Sequence, residues 1–323
     1  MKYLRLTGTD PFYNLATEEY LFRATKDDVF MLWQNDRTVV VGKNQNIKAE
    51  VNLDYTDNEG IRVVRRITGG GAVYHDLGNL NYTFISNEGG EIDFKRFTMP
   101  IIDALLSLGV KAELSGRNDL EVGGRKFSGN AQSTDSGRVL HHGTLLFDTD
   151  LTVLEKALLV DREKIRAHSL TSVRSRVLNL KEVLPTVPSA SCFGDLIEKF
   201  IDEKYGMERL VLSDGDLAEI EKIHTRITSR EWLYPDEGIA SRYHVKRTKR
   251  FDFGRVEIHL DMSADKIRSA RILGDFFGKR PVTELEASLS GLKKGDSIKL
   301  SRPIGDYILG MTERELLDLL FKE

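Results

Sequence analysis

Apolar side chains recur at Phe94, Phe97, Ile101, Leu105 and Leu108, and Gly109 follows. That spacing predicts a helix stopped by a glycine. A second helix is expected over Asn14–Ala24, opened by an asparagine cap. Phe193–Tyr205 and Leu217–His224 read as amphipathic helices. Strand patterns fall at Val29–Trp33 and Thr38–Val41, split by the turn residues Asn35 and Asp36, and at Ile61–Arg65 and Leu140–Phe147. Leu80, Tyr82 and Phe84 alternate and share one face of a strand. Asp119–Val122, Gly123-Gly124 and Arg125–Ser128 read as a hairpin with a glycine turn. Ser229–His244 has no clear period and reads as the approach to a linker. Beyond it, Arg255–Met262 and Lys266–Phe277 look like paired strands, followed by helices near Val282–Leu289 and Thr312–Lys322. The pattern therefore predicts an α+β protein with mixed sheets and flanking helices over residues 1–244. A small α+β domain is expected over 245–323.

Composition narrows the class. The chain has 323 residues, 40% apolar and 30% charged, which is ample for a full core and is the arithmetic of a soluble globular protein. No apolar run suits a membrane span, so no membrane partner is expected. Met1–Leu6 lacks an apolar signal core, and a cytoplasmic location is expected. The single cysteine, Cys192, excludes a disulfide framework and a cysteine-based zinc site. A net charge of −3 argues against a nucleic-acid binder. The charge is uneven: residues 246–323 carry 16 basic and 13 acidic side chains. The basic run Arg242, Lys246, Arg247, Lys249 and Arg250 reads first as a solvated linker and second as a contact for an acidic partner.

Four stretches carry candidate chemistry. Arg65-Arg66-Ile67-Thr68-Gly69-Gly70-Gly71-Ala72-Val73-Tyr74-His75-Asp76 sets three glycines between two arginines and a histidine. Glycines let backbone N–H groups approach an anion, and arginine supplies fixed charge, so an anion site is favoured over a bland flexible loop. No Gly-Lys-Ser/Thr follows, and the glycine spacing is wrong for a dinucleotide fingerprint, so neither a P-loop ATPase nor a Rossmann dehydrogenase is indicated. In the hairpin, Asp119 and Lys126 stand on opposite arms and could meet, offering a divalent-metal ligand beside a phosphate clamp. The small residues Ser128, Gly129 and Ala131 would let a ligand lie against that strand. His141 and His142 are adjacent, so on a strand they face opposite ways and cannot share a metal. Ser169–Val177 is polar, basic and aperiodic: a surface loop, or a lid over an anionic intermediate.

Taken in order, these stretches resemble the lipoate–protein ligase family. The resemblance runs through Asn14-Leu15-Ala16-Thr17-Glu18-Glu19, Trp33, the Arg-Arg-x-Thr-Gly-Gly-Gly loop with Ala72-Val73-Tyr74-His75-Asp76, Gly116-Arg117-Asn118-Asp119, Lys126-x-Ser-Gly, His142-Gly143-Thr144 and Ser172–Val177. It is dense to about residue 180, and Ile272–Phe277 resembles the family's accessory domain. The resemblance implies the biotin/lipoate ligase fold and a two-step acyl transfer. Lipoate and Mg-ATP would give lipoyl-AMP, and a lysine of a lipoyl carrier domain would then take the acyl group. The carriers implied are acyltransferase subunits of 2-oxoacid dehydrogenases and the glycine-cleavage H protein. Lys126 matches the family's essential lysine. Arg66 and Thr68 match contacts to the adenylate or acyl tail; Gly70, Gly71, Ala72, Val73 and Tyr74 match the backbone that cradles adenylate. Asn79, Asn118 and Asp119 match polar groups near phosphate, ribose and Mg2+, with Asp119 as the metal ligand. Leu15, Trp33, His75, Ala131 and His142 match the wall of the acyl pocket. The resemblance also implies that the accessory domain rotates between the two steps and that a lid near 162–180 orders over the adenylate.

Three positions depart from the family's pattern: Thr68 for serine, Thr17 for a small apolar residue, and Phe127 for valine beside the lysine. Phe127 would alter acyl-length preference if its ring faced the pocket and nothing if it faced the core. An acyl transferase of this fold would need a nucleophilic cysteine, whereas Cys192 lies outside every motif and reads as a small buried hydrophobe. A biotin ligase would carry a different glycine–arginine loop. A pure binding protein would not need Lys126 beside Asn118-Asp119.

Overall fold

The computed structural model describes residues 1–88, 90–159 and 176–321. Its strands are β1 Lys2–Arg5, β2 Val29–Trp33, β3 Thr38–Val41, β4 Arg62–Arg65, β5 Val73–His75, β6 Asn79–Ser86, β7 Glu113–Ser115, β8 Asp119–Val122, β9 Arg125–Asp135, β10 Arg138–Leu146, β11 Glu208–Arg209, β12 Val245–Phe251, β13 Gly254–Ser263 and β14 Lys266–Gly274. Eight of them form one mixed sheet in the order β11-β1-β2-β6-β10-β9-β8-β7. Its β1 pairs are parallel, and the β2–β6–β10–β9 centre is antiparallel.

Both faces of this sheet are covered, which is why β6 is buried along its whole length. Leu80, Tyr82 and Phe84 do share a face, packing with Phe97, Ile101, Phe193 and Ile197 from the helices Phe94–Ser107 and Ala190–Tyr205. Phe127 points into this same core and is fully buried, so its ring does not shape a pocket. Cys192 packs part-buried against it. The opposite face carries the helices Pro11–Ala24 and Asp214–Ile227 through Leu15, Leu21, Phe22, Ile220 and Ile227. A second sheet, β4-β3-β5, pairs β3 with β4 in parallel and with β5 antiparallel. The third, β12-β13-β14, is an antiparallel meander with its own apolar core, closed by Val282–Ser288 and Glu313–Phe321; it forms a C-terminal domain.

Three expectations change. The first helix begins at Pro11, not Asn14: Asp10 caps it by accepting from the Tyr13 N–H, and proline tolerates the first helical position. Asn14 is buried instead, its amide donating to Gly8 O and Gln34 O. Ser229–His244 is not a bare linker. It holds two short helices, Arg230–Leu233 and Ile239–Arg242, and Trp232 Nε1 donates to Arg65 O at 2.9 Å. The basic residues Lys246–Arg250 lie on β12, so the solvated-linker reading of that run is corrected. The proposed lid near 162–180 falls largely outside the described residues.

Candidate active site

Registers bring the predicted residues together. On one face of the large sheet, Trp33 of β2 lies beside Asn81 of β6, and Asn81 beside Thr144 of β10. The next row on that face is Thr83, His142 and Ala131. Opposite them, β5 alternates: Val73 and His75 face the large sheet, while Tyr74 packs behind with Val39, Val41 and Ile47. The space between is a cavity of about 260 Å3. Leu15, Trp33, Arg66, Gly70, Gly71, Ala72, Val73, His75, Asn118, Asp119, Lys126, Ala131 and His142, all expected from sequence, line it. Thr68, the Tyr74 side chain and Asn79 do not reach it. Thr68 and Asn79 stand one layer back, Asn79 Nδ2 donating to Asn81 Oδ1 at 2.9 Å.

At the mouth, the β8–β9 hairpin has a register shift between Leu120 and Glu121, so Asp119 opposes Gly129 while Glu121 opposes Lys126. The bulge tips both charges to one side, and Lys126 Nζ stands 2.8 Å from Asp119 Oδ1. The Lys126 side chain folds over Gly129: a Cβ there would lie 3.2 Å from Nζ. Partly exposed and paired, this amine joins Arg66, Arg117 and Arg250 among the cations that line the cavity.

The two arginines of the glycine loop brace it from within, and Arg66 also lines the cavity. Arg65 Nη1 donates to Gly42 O, Lys43 O and Gln45 O, and its Nε and Nη2 donate to Leu233 O. Arg66 Nη2 donates to Gly69 O and Gly71 O, at 2.7 and 2.8 Å, Nη1 to Val40 O, and Nε to Thr68 Oγ1. Burial pulls both guanidiniums down to about 10, still charged at neutral pH. Most of these donors go to backbone carbonyls of the loop and of the segments packed on it. The loop is tight because Gly42 meets Gly70: a Cβ on Gly42 would sit 2.1 Å from Gly70 O. Gly70 itself takes φ +90°, open to glycine at little cost.

Behind the loop runs a closed polar chain. Thr68 Oγ1, which accepts from Arg66 Nε, donates to His142 Nε2 at 2.9 Å; His142 Nδ1–H faces Glu18, 2.9 Å from Oε1. Glu18 also accepts from Thr83 Oγ1–H, which accepts from Trp33 Nε1–H. Each of these buried groups is satisfied by its neighbours. His75 differs. Asn14 Nδ2 donates to backbone carbonyls and to Asn35 Oδ1, so Asn35 Nδ2 donates to His75 Nδ1 at 3.1 Å. Its proton therefore sits on Nε2, which has no protein partner. Burial, reinforced by Arg66, drives His75 down to about 3, so the ring is neutral.

The cavity also uses residues given no role from sequence: Asn81, Asn130, Gly143, Thr144 and Arg117, and from the C-terminal domain Arg250, Asp252 and Asp275; Gly129 lines it as the small-residue pattern on β9 predicts. Arg117 Nη1 donates to Phe253 O, and its guanidinium lies over the Phe277 ring, 4.3 Å from the centroid. Burial lowers its pKa, opposed by Asp275 and Asp119. Gly70 N–H donates to Phe276 O at 3.3 Å. The signal for Asn81 was present in the alternation, since Leu80, Tyr82 and Phe84 on one face put Asn81 on the other. His141, one residue from His142, turns away to stack on Phe97.

Comparison with known proteins identifies the family. Residues 10–201 match the model of the lipoyl protein ligase A/B catalytic domain, and residues 240–320 match that of the bacterial lipoate protein ligase C-terminus. The chain belongs to the lipoate–protein ligase family and is an enzyme of the ligase class. Among curated relatives, it is 43% identical to lipoate–protein ligase 1 of Staphylococcus aureus over 88% of this chain and 87% of that one. It is 38% identical to the lipoate-protein ligase LplJ of Bacillus subtilis over 97% of each. Among solved structures, it superposes on Plasmodium falciparum LipL1 in complex with lipoate with a TM-score of 0.77, at 25% identity over 92% of this chain and 91% of that one. A lipoate-protein ligase A bound with ATP matches at TM-score 0.62 and 26% identity, over 72% of this chain and 97% of that one. Among the described residues no helix is long and apolar enough to cross a membrane.

Proposed function

We propose that this ligase activates free lipoate with ATP to lipoyl-AMP, with Lys126 as the catalytic cation, and passes the lipoyl group to a lysine of a lipoyl carrier domain. The observation that carries the reading is the placement of Lys126 Nζ at the open end of a slot walled by Leu15, Trp33, Val40 and Ala131. An apolar acyl chain fits such a wall, with its carboxylate left at the lysine. Two anions, the carboxylate and the α-phosphate, must then meet. A fixed cation between them offsets their repulsion and stabilises the charge that develops as pyrophosphate leaves. Mixed-anhydride aminolysis uses the same amine to polarise the acyl carbonyl. Gly71 suits the approach of a phosphate, because the space a Cβ would occupy is open. The Asp119 carboxylate is a hard oxygen donor of the kind Mg2+ takes, and Asp119 would hold the ion that shields the phosphates of ATP. Asn118, anchored by donating to Asn130 O at 2.6 Å, stands beside it.

The likeness to an archaeal bipartite ligase described with its E2 lipoyl domain supports a carrier domain as acceptor. Carriers of the 2-oxoacid dehydrogenase and glycine-cleavage H types, in the cytoplasm, are the partners we favour. The test is mass spectrometry of purified carrier domains after incubation with enzyme, Mg-ATP and lipoate. An ATP-dependent lipoyl mass on one lysine is expected, with pyrophosphate release lost in Lys126→Ala. No mass gain and no pyrophosphate would overturn the proposal.

A further inference from the structure

Arg117 reaches the cavity with a donor to spare. It stands in the turn between β7 and β8, two residues before Asp119. The C-terminal domain holds it from two directions. Nη1 donates to Phe253 O in the β12–β13 turn, and the guanidinium lies over the Phe277 ring, 4.3 Å from the centroid. That ring is fully buried and also packs on the glycine loop, where a Cβ on Gly70 would meet Cζ at 3.0 Å. The Nη2 atoms of Arg65 and Arg66 donate to carbonyls, whereas Nη2 of Arg117 makes no hydrogen bond among the described residues. A guanidinium fixed by a stack and one hydrogen bond, with a nitrogen left over, is pre-organised for a phosphate.

Strand order decides which phosphate lies there. The large sheet runs from Trp33 on β2 through β6 and β10 to Lys126 on β9, then to Asp119 on β8, with Arg117 at the β7–β8 edge. The slot walled by Leu15 and Trp33 therefore lies on the β2 side of the lysine, and Arg117 on the other, between one and two strand spacings past β9, or roughly 5–10 Å. A carboxylate in the slot attacks the α-phosphorus from the β2 side. Its oxygen forms the new bond while the bond from the α-phosphorus to the bridging oxygen breaks, and the electron pair leaves in line, toward β8 and β7, on pyrophosphate. Resting on the function proposed above, we infer that Arg117 binds the β- and γ-phosphates of ATP and stabilises pyrophosphate as it leaves. Arg250 lines the same mouth, but so do Asp252 and Asp275. Summed charge is thus a weak attraction there, and an aimed donor is what an anion gains from.

The experiment is isothermal titration of the full-length protein and of Arg117→Gln with ATP and with AMP, both in Mg2+. Wild type is expected to bind ATP at least tenfold more tightly than AMP; Arg117→Gln should weaken ATP about tenfold and leave AMP within about twofold. Unchanged ATP affinity in the variant overturns the inference. So does an equal loss for both nucleotides, which marks a disturbed pocket rather than a lost phosphate contact. Phe277→Leu removes the ring under the guanidinium and should weaken ATP about threefold with AMP again unchanged; unchanged ATP affinity overturns the part given to the ring. Equal binding of ATP and AMP by wild type overturns the inference without any variant having to fold. Failure of the underlying function is separately visible: wild type that binds ATP but releases no pyrophosphate with lipoate would sink the reading of the acyl acid, and the ATP–AMP comparison would still decide the role of Arg117.

Discussion

Gly129→Ala separates stability from catalysis at a single carbon. Gly129 lies on β9 with an ordinary extended backbone, so alanine meets no conformational barrier there; replacing glycine within a strand should stabilise by roughly 0.5–1 kcal/mol. The new Cβ lies 3.2 Å from Lys126 Nζ, 3.4 Å from Cε and 3.9 Å from Asp119 Oδ1. The backbone does not need to move. The flexible amine gives way by a few tenths of an ångström, which costs the fold almost nothing. Displacing a catalytic group by a full ångström costs on the order of 100-fold, so a shift of about half that predicts a fall of roughly tenfold in adenylation. Thermal unfolding should show an equal or slightly higher Tm, and pyrophosphate release with saturating lipoate should show kcat down about tenfold. Wild-type kcat in a folded Gly129→Ala protein would refute the placement of Lys126 Nζ at the reacting centre.

Three further outcomes follow from the same geometry. Arg66→Lys keeps the charge but cannot span Gly69 O, Gly71 O, Val40 O and Thr68 Oγ1, so denaturant unfolding should show a loss of about 2–3 kcal/mol. Glu257 of β13 is buried, which alone would raise its pKa, but hydrogen bonds from His259 and Lys246 outweigh burial and bring it from 4.5 down to about 2. A carboxyl whose folded pKa is depressed stabilises above the unfolded value and loses that as pH falls. Wild type should therefore lose ~3 kcal/mol between pH 4.5 and 2, and Glu257→Gln should flatten that part of the stability–pH curve. Nitrogen-15 NMR of the ligand-free protein should show His75 neutral with its proton on Nε2 down to about pH 4.

Much of the fold was legible because long apolar periods dominate local structure. The strands at Val29–Trp33 and Thr38–Val41, the helix from Phe94 and the glycine hairpin at 123–124 lie where their patterns put them. The pairing of Asp119 with Lys126 followed from two arms of one hairpin, a local relation. What sequence does not display is longer in range. The residue types of Arg65 and Arg66 show donors but not the carbonyls that these donors also brace. Those carbonyls, from Gly42 to Gln45 and at Leu233, are brought near only by tertiary folding. Asn14 reads as a cap because asparagine caps helices. The competing cap, Asp10 with Pro11 behind it, leaves Asn14 free to set the tautomer of His75 through Asn35.

The C-terminal residues at the cavity show the same limit most clearly. Arg250 belongs to a basic run that reads as solvated surface, yet it lines the cavity, because the β12–β13 turn reaches the mouth. That docking rests on a few contacts of unlike kind. Arg117 donates to Phe253 O and lies over Phe277, Gly70 N–H donates to Phe276 O, and Arg255 pairs with Glu50 at 2.9 Å. None of these has a period or a spacing. Gly69 allows the close approach, since a Cβ on it would meet Phe276 O at 2.3 Å. The glycine run thus serves two surfaces at once, one facing the cavity and one facing the C-terminal domain. The sequence reading credited it with the first alone. A side chain at Gly69 would therefore act on the domain contact without entering the acyl slot, whereas one at Gly129 would act on the lysine without disturbing the domains.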